Sequence, residues 1–419
     1  MTSDFGQSID YLLAQSVVSL IVLYWFVVIF EIPRYMLGFL LVLFVKRERS
    51  YDEYEDYQGS VSVIIAGHNE EDAIERCVRA LGEQSRRPDE IIVVSDGSVD
   101  QMPAKLRELL NEGLIDGAHC TELRAGKSAG TNMAARFATG DIIINIDCDC
   151  SFDRHAIRNV VRPFLDPEVV AVSGNILVRN PGVSLLTAFQ AIEYMITISL
   201  GKQAVDRLDQ VVCVSGAFGA FKRTVFETAG GLDAGGGEDL DLTLRLRQRG
   251  KVRFVEDALC YTDVPTTQQV LVKQRFRWER DAIRLRFRKH RHLLNPFSRQ
   301  FKLSEALHEL EFLLFNVIGA AALPFYVVWL FSIYGSFALV IMLSAQLGLL
   351  VLDFITFLLA AAFTPKVRAL PLLPFLVGYS LYTGLYMRFV RLGAYLEEWI
   401  FSASYQDTYV PNKVHRVRG

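Results

Sequence analysis

Two carboxylates stand one residue apart in the stretch "NIDCDC", residues 145–150, and this spacing could hold a metal ion. Asp147 and Asp149 follow an apolar run, "DIII", that predicts a buried strand. An uncompensated charge is costly there, so either the strand end is solvated or a cation neutralises the pair. Mg²⁺ and Mn²⁺ prefer oxygen ligands and are often shared with substrate phosphates. Because the D-x-D spacing is common by chance, other residues must decide between these interpretations.

Polar residues also follow two other predicted strands. His68 and Glu70 come after "VSVIIAG", and Asp96 comes after "EIIVVS". Ligands of open parallel sheets bind outside the carboxyl ends of the strands, so we expect these side chains at one edge with Asp147 and Asp149. Taken alone, Asp96 in "SDGS" is explained equally well by a functional role and by a structural role as a turn residue or helix cap. Three strands that bring acids to one edge favour a divalent cation that bridges the diphosphate of a nucleotide.

Two further stretches carry cations that suit such a site. Lys127, in "RAGKSAGTN", precedes a predicted helix whose first N–H groups and dipole favour anions. From this stretch alone, phosphate neutralisation and an ordinary surface lysine explain it equally well. In "QRFRW", Arg277 could clamp a diphosphate through two hydrogen bonds. Trp278 could stack on a sugar ring, although a tryptophan beside a membrane is more often an interface anchor.

A glycine-rich loop leads into a further pair of acids. In "GGLDAGGGEDLDLTLRLRQRG", residues 230–250, a helix is predicted to start at Glu238 or Asp239. One interpretation is a helix-capping acid followed by a leucine stripe. The other is a general base on a mobile loop, since a carboxylate can accept the proton of a hydroxyl that attacks carbon.

Strand–helix alternation between residues 60 and 280 predicts a parallel sheet covered on both faces. The 419-residue chain is 51% hydrophobic and has a net charge of only −3, which argues against a nucleic-acid partner. Its six cysteines show no C-x-x-C and no pairing rhythm, which predicts reduced thiols in a cytosolic compartment.

Apolar stretches flank this domain and predict membrane-spanning helices. The basic run "KRER", residues 46–49, predicts a cytosolic location for the following domain. Apolar residues alternate with arginines at 284–291, which predicts an amphipathic helix on an anionic membrane surface, or else a solvated basic linker. The predicted division is an N-terminal membrane segment of one or two helices (1–50), a cytosolic α/β domain (51–280), basic interfacial helices (281–308), about three C-terminal membrane segments (309–400) and a short polar tail (401–419).

Taken in order, these motifs resemble those of membrane-embedded family-2 glycosyltransferases of the polysaccharide synthase type, which include cellulose, chitin, hyaluronan and poly-N-acetylglucosamine synthases. The resemblance covers roughly residues 60–280. The motifs that carry it are "HNE" (68–70), "SDGS" (95–98), "GKSAGTN" (126–132), "DCD" (147–149), "SGAFGAF" (215–221), "GED" (237–239) and "QRFRW" (274–278).

The resemblance implies a nucleotide-binding α/β domain of the GT-A type, inserted between N-terminal and C-terminal transmembrane helices. It implies that Asp239 is the catalytic base with Glu238 beside it, and that Asp147 and Asp149 serve nucleotide and metal, Mg²⁺ or Mn²⁺. The donor-binding residues that it implies are His68, Glu70, Asp96, Lys127, Asp147, Asp149, Gln274, Arg277 and Trp278, and the acceptor-site residues are Ser215, Gly216, Ala217 and Trp278.

The expected function is a processive, inverting transfer from UDP-N-acetylglucosamine or UDP-glucose that builds a β-linked polysaccharide and secretes it across the membrane. The alternatives are a non-processive enzyme that glycosylates a lipid, and a non-enzymatic membrane protein. We expect a multi-pass protein of the plasma (bacterial inner) membrane, with export subunits or a second copy as possible partners. Gly237 and Ser95, where relatives often carry threonine and aspartate, argue against assigning one sugar.

Overall fold

A computed structural model describes residues 10–45, 55–233 and 235–406. The run "KRER" and the tail after residue 406 lie outside the described residues. The strands are β1 Val61–Gly67, β2 Glu90–Asp96, β3 Gly117–Thr121, β4 Ile142–Ile146, β5 Ser151–Phe152, β6 Val169–Val178, β7 Phe218–Lys222 and β8 Lys251–Thr262. The α-helices are α1 Val17–Leu23, α2 Ile32–Phe44, α3 Ile74–Gly82, α4 Met102–Asn111, α5 Lys127–Phe137, α6 Ala156–Val161, α7 Leu185–Glu193, α8 Gly201–Asp206, α9 Arg223–Thr228, α10 Glu238–Leu246, α11 Gln268–Ile283, α12 Leu303–Phe312, α13 Gly319–Tyr334, α14 Ala338–Phe363 and α15 Met387–Phe401.

The eight strands form one sheet in the order β3-β2-β1-β4-β7-β6-β8-β5. The four strands from β3 to β4 are parallel, as predicted. On one face, Ile74 of α3 and Leu106 of α4 join a core with Val63 and Ile65 of β1. On the other face, Ala134 of α5 packs in a second core. Both faces are therefore covered, which explains the continuous apolar runs of these strands.

The second half of the sheet is mixed, whereas strand–helix alternation predicts parallel strands throughout. β7 runs antiparallel to β4 and β6, and β5 runs antiparallel to β8, while β6 and β8 are parallel. The regular alternation ends after β4, and the chain makes a helical excursion through residues 185–206 before β7. A connection of that length lets a strand enter the sheet from either end, so alternation does not fix its direction.

A charged interface joins α11, which carries "QRFRW", to α15. The Glu279 carboxylate accepts hydrogen bonds from Arg391 at 3.0 Å and from the Tyr395 hydroxyl at 2.6 Å. Arg280 pairs with Glu397 at 3.3 Å. The C-terminal helix is thus bound to the helix that leaves the sheet domain through polar contacts rather than apolar packing alone.

Several helical stretches of the described chain are strongly apolar. Among the described residues, the helical stretch Leu303–Phe363 is long and apolar enough to cross a membrane. Two bent pairs meet the same criterion only if each pair is counted as one span, which gives one candidate span or up to three. These pairs are Val17–Leu23 with Val27–Arg34, bent by 80°, and Leu370–Leu376 with Leu381–Phe401, bent by 58°.

The basic segment at 284–291 differs from its sequence interpretation. It continues α11 as a π-helical turn, Arg284–Lys289, so the expected boundary after residue 280 falls inside a helix. Arg284 and Arg286 are buried rather than directed to a membrane surface. Four of its cations pair with carboxylates of the protein itself: Arg284 with Asp281 at 3.0 Å, Arg286 with Glu309 at 2.6 Å, Arg288 with Glu398 at 2.7 Å, and Lys289 with Asp233 and Asp241 at 2.5 and 2.7 Å.

Candidate active site

A cleft of about 260 Å³ opens at the carboxyl ends of β1, β2 and β4. Parallel pairing brings these three strand ends side by side, so the polar residues that follow them meet at one edge. Six residues assigned to the donor site by sequence line this cleft together: His68, Glu70, Asp96, Lys127, Asp147 and Asp149.

Asp96 shapes one wall of the cleft. Its two carboxylate oxygens accept hydrogen bonds from the backbone N–H groups of Ala125 and Gly126, at 2.7 and 2.6 Å. His68 Nδ1 lies 2.8 Å from the Asp96 carbonyl oxygen. The neighbouring Gly97 has a φ of 63°, and a Cβ there would collide with the backbone of the 123–124 segment. Asp96 therefore holds the loop that leads into α5, which agrees with its interpretation as a turn residue.

Negative charge collects beside Asp147. Desolvation raises the pKa of Asp149, and the nearby charge of Asp147 raises it further. Desolvation likewise raises the pKa of Glu70, with added repulsion from Asp149 and Asp147. Lys127, the first residue of α5, offsets part of this charge because its Nζ lies 2.5 Å from Asp147 Oδ1. The cleft thus contains more carboxylates than cations near the D-x-D motif.

The carboxylate oxygens of the D-x-D motif suit a hard divalent cation whose remaining coordination positions are filled by a bound substrate. Among the residues that the structure describes, no group of three or more His, Cys, Asp and Glu side chains is arranged to hold a metal ion by itself. Mg²⁺ and Mn²⁺ commonly bind through one or two carboxylates together with substrate phosphates. Asp147 and Asp149 offer that number of protein ligands, and the raised pKa of Asp149 is what an uncompensated oxygen site produces.

The loop of residues 214–217 lies close to both Lys127 of the cleft and Asp239. The Asn145 side chain donates a hydrogen bond to the Gly216 carbonyl at 2.7 Å. The Gly216 N–H donates to Asp239 Oδ2 at 3.4 Å. A Cβ at Gly216 would lie 3.5 Å from Lys127 Nζ and 3.9 Å from Asp239 Oδ2, so glycine leaves room where these groups converge. The predicted acceptor stretch therefore lies close to both Lys127 and Asp239, the predicted phosphate-binding cation and the predicted base.

Glu238 and Asp239 form the first turn of α10, directly after Gly237 with a φ of 67°. The Leu240 N–H donates to Asp239 Oδ1 at 2.8 Å. Desolvation raises the pKa of Glu238, and the charge of Asp239 adds to the effect, whereas Lys127 and Arg277 oppose it. The glycine-rich loop thus ends with Asp239 beside Gly216, and with Glu238 within electrostatic range of both cations.

The residues of "QRFRW" occupy different positions around the site. Arg277 interacts electrostatically with Glu238. Trp278 is 37% exposed and lies 4.6 Å from the guanidinium of Arg275, measured to its ring centroid, and it does not line the cleft. Gln274 is also outside the cleft, and its buried Oε1 has no hydrogen-bond partner among the described residues. The structure therefore associates Arg277 with the acids of α10 but leaves Gln274 and Trp278 apart from the D-x-D cleft.

Sequence reasoning missed three residues around the site. Arg124 lines the cleft, Cys213 interacts with the Asp239 side chain, and Lys202 of α8 donates a hydrogen bond to Ser215. Arg124 stands in the same stretch as Lys127 and offered a weak signal. Lys202 and Cys213 lie in stretches whose spacing has no recognisable pattern, so only the fold brings them to the site.

Part of the chain is similar to known proteins. Residues 62–230 match the model of the family described as glycosyl transferase family 2. Over 236 residues the chain is 29% identical to the poly-beta-1,6-N-acetyl-D-glucosamine synthase of Staphylococcus aureus, with 56% of each chain covered. It is 27% identical over 239 residues to the N-acetylglucosaminyltransferase of Rhizobium meliloti, with 54% of this chain and 56% of that protein covered. The chain spans about half the length of these curated relatives.

A solved structure shares the fold over most of the chain. The mannosyltransferase PcManGT from Pyrobaculum calidifontis, solved in complex with GDP-Man and Mn²⁺, superposes with a TM-score of 0.58 at 20% identity. The match covers 88% of this chain and 94% of that one. The sheet domain is a GT-A-like α/β domain. The match of residues 62–230 to the glycosyl transferase family 2 model agrees with the resemblance seen in the motifs of the chain.

Proposed function

We propose that the protein transfers N-acetylglucosamine or glucose from a UDP-sugar to an acceptor hydroxyl, with inversion at the anomeric carbon, and so extends a β-linked polysaccharide. One observation carries this proposal: a Cβ at Gly216 would lie 3.5 Å from Lys127 Nζ and 3.9 Å from Asp239 Oδ2, so a lysine ammonium group and a carboxylate approach the same position. An inverting transfer needs a cation for the leaving diphosphate and a base for the attacking hydroxyl.

In this mechanism Asp239 accepts the proton of the acceptor hydroxyl. The acceptor oxygen forms a bond to the anomeric carbon while the bond from that carbon to the phosphate oxygen breaks, and UDP leaves with the electron pair. Lys127 and Arg277 stabilise the negative charge that develops on UDP. Asp147 and Asp149 would hold Mg²⁺ or Mn²⁺, which supplies Lewis-acid stabilisation of the diphosphate. Glu238, whose pKa is raised by burial and by Asp239, is suited to a hydrogen-bonding role at the acceptor.

Asp96 and His68 would border the nucleoside, because both lie at the wall of the cleft formed by β2 and the loop before α5. Ser215, Gly216 and Ala217 would approach the acceptor. For Gln274 and Trp278 we keep the role implied by the motif, which is to bind diphosphate and to line the acceptor end. That role requires the helix that bears them to move toward the cleft when the donor binds.

We further propose that the enzyme is processive and releases its glycan through the membrane. The apolar stretch Leu303–Phe363 and the packing of α15 on α11 support a membrane-bound location next to the site. The proposed location is a multi-pass protein of the plasma (bacterial inner) membrane with its sheet domain in the cytosol. An export subunit or a second copy would be compatible partners. The competing function is transfer of a single sugar to a lipid acceptor.

The test uses the full chain, purified in detergent, with labelled UDP-N-acetylglucosamine or UDP-glucose and either Mn²⁺ or Mg²⁺. We expect UDP release together with a polymeric product that linkage-specific β-glycosidases degrade. If the product is instead a single sugar bound to an extractable lipid, the proposed polymerase activity is wrong and the lipid-acceptor function is supported. Absence of UDP release with both donors and both metals would overturn the proposed donor specificity.

A further inference from the structure

Arg275, the second residue of "QRFRW", is a buried cation that packs on Trp278. The two residues are three positions apart on α11 and therefore share a face of the helix. The Arg275 guanidinium lies 4.6 Å from the centroid of the Trp278 ring, close enough for attraction between the cation and the aromatic face. Arginine, unlike lysine, also stacks its planar group on such a face. Arg275 thus restricts the orientation of the indole, while Trp278 stays 37% exposed and accessible to a ligand.

The Arg275 guanidinium is itself held by a buried carboxylate. Its Nη2 donates a hydrogen bond to Glu193 Oε2, at the end of α7, at 2.8 Å. The Tyr382 hydroxyl donates to the same oxygen at 3.1 Å. All three residues are buried. Arg275 is therefore fixed from outside its own helix, by contacts with two other elements.

These contacts connect Trp278 to the apolar C-terminal region. Tyr382 belongs to the π-helical turn Leu381–Tyr386, which lies within one of the bent candidate spans. The Tyr382 ring also stacks on Phe189 of α7, with ring centroids 5.3 Å apart and an interplanar angle of 19°. The contacts that orient Trp278 therefore lie where α7, α11 and this apolar segment meet.

Stability alone does not account for the buried ion pair of Arg275 and Glu193. Removing two such charges from water is costly, and apolar residues of similar volume are often as stabilising or more so. An apolar side chain at position 275 would contact the indole without a fixed geometry, whereas a planar cation held by Glu193 restricts it. The pair is better explained by the orientation that it gives to Trp278.

We propose that Arg275 is a positioning residue: held by Glu193 and Tyr382, it fixes the Trp278 indole as the surface on which a sugar ring of the acceptor glycan stacks. An aromatic ring that is already held in one orientation loses less side-chain entropy when a ligand packs on it. This inference rests on the proposed function and on the acceptor role proposed for Trp278. It requires Arg275 to act on acceptor binding through Trp278, with little effect on the donor.

The test measures KM for a β-linked N-acetylglucosamine tetrasaccharide as acceptor and KM for the UDP-sugar, with the full chain purified in detergent. Arg275→Lys keeps a cation for Glu193 but removes the planar group over the indole. We therefore expect acceptor KM to rise about fivefold and donor KM to change less than about twofold. The matched control is Arg79→Lys, a surface arginine paired with Glu75, which should leave both values unchanged.

A double-mutant cycle with Trp278→Leu separates positioning from a general structural role. Trp278→Leu alone should raise acceptor KM about tenfold, because the stacking surface is lost. If Arg275 acts through the indole, adding Arg275→Lys to that variant should raise acceptor KM no further. Equal effects of Arg275→Lys in both backgrounds, or no effect where Trp278 is present, would overturn the proposal.

Thermal unfolding identifies a variant that does not fold. If Arg275→Lys is one, Tyr382→Phe decides, since it removes one hydrogen bond to Glu193 and keeps the ion pair. Acceptor KM should then rise about twofold in the wild-type background and not at all with Trp278→Leu. A rise in both backgrounds, or in neither, would contradict the proposal.

The failure of this inference is distinguishable from that of the proposed function. If the wild type releases UDP but adds no sugar to the tetrasaccharide, the proposed polysaccharide function is wrong and the inference fails with it. If the wild type extends the tetrasaccharide but Trp278→Leu leaves acceptor KM unchanged, the proposed transfer stands and only the roles of Trp278 and Arg275 are wrong.

Discussion

Lys127 Nζ lies 2.5 Å from Asp147 Oδ1, so the first residue of α5 is ion-paired with the D-x-D motif. Both side chains line the cleft and are partly exposed. When a nucleotide diphosphate enters, we expect Lys127 to turn to a phosphate oxygen and Asp147 to become a metal ligand. We therefore expect the positive charge of Lys127 to lie near the bound diphosphate and the negative charge of Asp147 to lie near its metal ion.

Replacing Lys127 with methionine should lower kcat/KM for the UDP-sugar by about 100-fold, because a preorganised cation is lost from the leaving group. The measurement is the initial rate of UDP release at subsaturating donor. Lys105→Met is the control, since Lys105 pairs with surface carboxylates away from the cleft. A decrease of less than about twofold would show that Lys127 does not contact the phosphates.

Replacing Asp239 with asparagine should lower kcat by about 10²–10⁴-fold and leave UDP affinity nearly unchanged, because the asparagine amide cannot accept the acceptor proton. Sugar transfer and UDP binding are measured separately on the same preparation. Glu238→Gln is the matched control variant. It should retain more activity than Asp239→Asn, because Asp239 is the acid that contacts the predicted acceptor loop, through the Gly216 N–H. Wild-type turnover in Asp239→Asn would rule out this aspartate as the base.

The acids around the D-x-D motif predict opposite effects of pH on stability and on metal binding. The pKa of both Glu70 and Asp149 is raised, chiefly by desolvation and then by like charges. The folded, metal-free protein thus holds these protons more tightly than the unfolded chain. Its stability should therefore fall as pH rises from the ordinary carboxyl range, near 4, through the raised pKa values.

Thermal unfolding at about pH 5 and about pH 7.5, both above the ordinary carboxyl range, measures both effects. Mn²⁺ with UDP should raise the midpoint more at the higher pH, where the carboxylates are ionised. Asp149→Asn should raise the metal-free midpoint at the higher pH and remove most of the Mn²⁺ effect. Glu112→Gln, a surface substitution, should do neither. An equal Mn²⁺ effect in Asp149→Asn and wild type would exclude Asp149 as a ligand.

Asp241 should be essential for stability rather than for chemistry. It is 1% exposed and lies 2.7 Å from His290 Nε2, 2.7 Å from Lys289 Nζ and 2.9 Å from an Arg245 guanidinium nitrogen. Burial alone would raise the pKa of Asp241, but hydrogen bonds from His290 and Lys289 outweigh it and hold the pKa well below its usual range. This stabilisation is present above the ordinary aspartate pKa and is lost only as pH falls toward the depressed value.

Asp241→Asn should therefore lower the free energy of unfolding by about 3 kcal/mol at neutral pH, because Arg245 and Lys289 lose the buried carboxylate with which they pair. The measurement is the thermal midpoint of the purified protein. Glu227→Gln, which removes an exposed ion pair with Arg223, should change the midpoint little. Equal midpoints for Asp241→Asn and wild type would contradict the structural role.

The parallel half of the sheet could be predicted from sequence because β1, β2 and β4 are buried on both faces. Continuous apolar runs such as "VSVIIA" signal that burial directly, and strand-end residues such as Asp96 and Asp147 then meet at one edge. The start of α10 at Glu238 was predicted for a similar local reason, since glycines give way to a leucine pattern there.

Other features depend on contacts between distant residues and left no local signal. The long helical connection before β7 leaves the direction of that strand open, and the burial of Arg284 and Arg286 depends on carboxylates at Asp281 and Glu309. In sequence, a run of arginines with apolar neighbours is the same whether it faces a membrane or the protein interior. Lys202 is a single lysine in a helix, and only the fold brings it to Ser215.

The charged interface between α11 and α15 has a practical consequence for work on this enzyme. A fragment that ends after α11 would expose Glu279 and Arg280 without Arg391 and Glu397, the residues that now neutralise them. Such a truncation would remove support from the helix that carries Arg277. A water-soluble catalytic fragment should therefore be made by redesigning the outer surface of the C-terminal helix, not by deleting it.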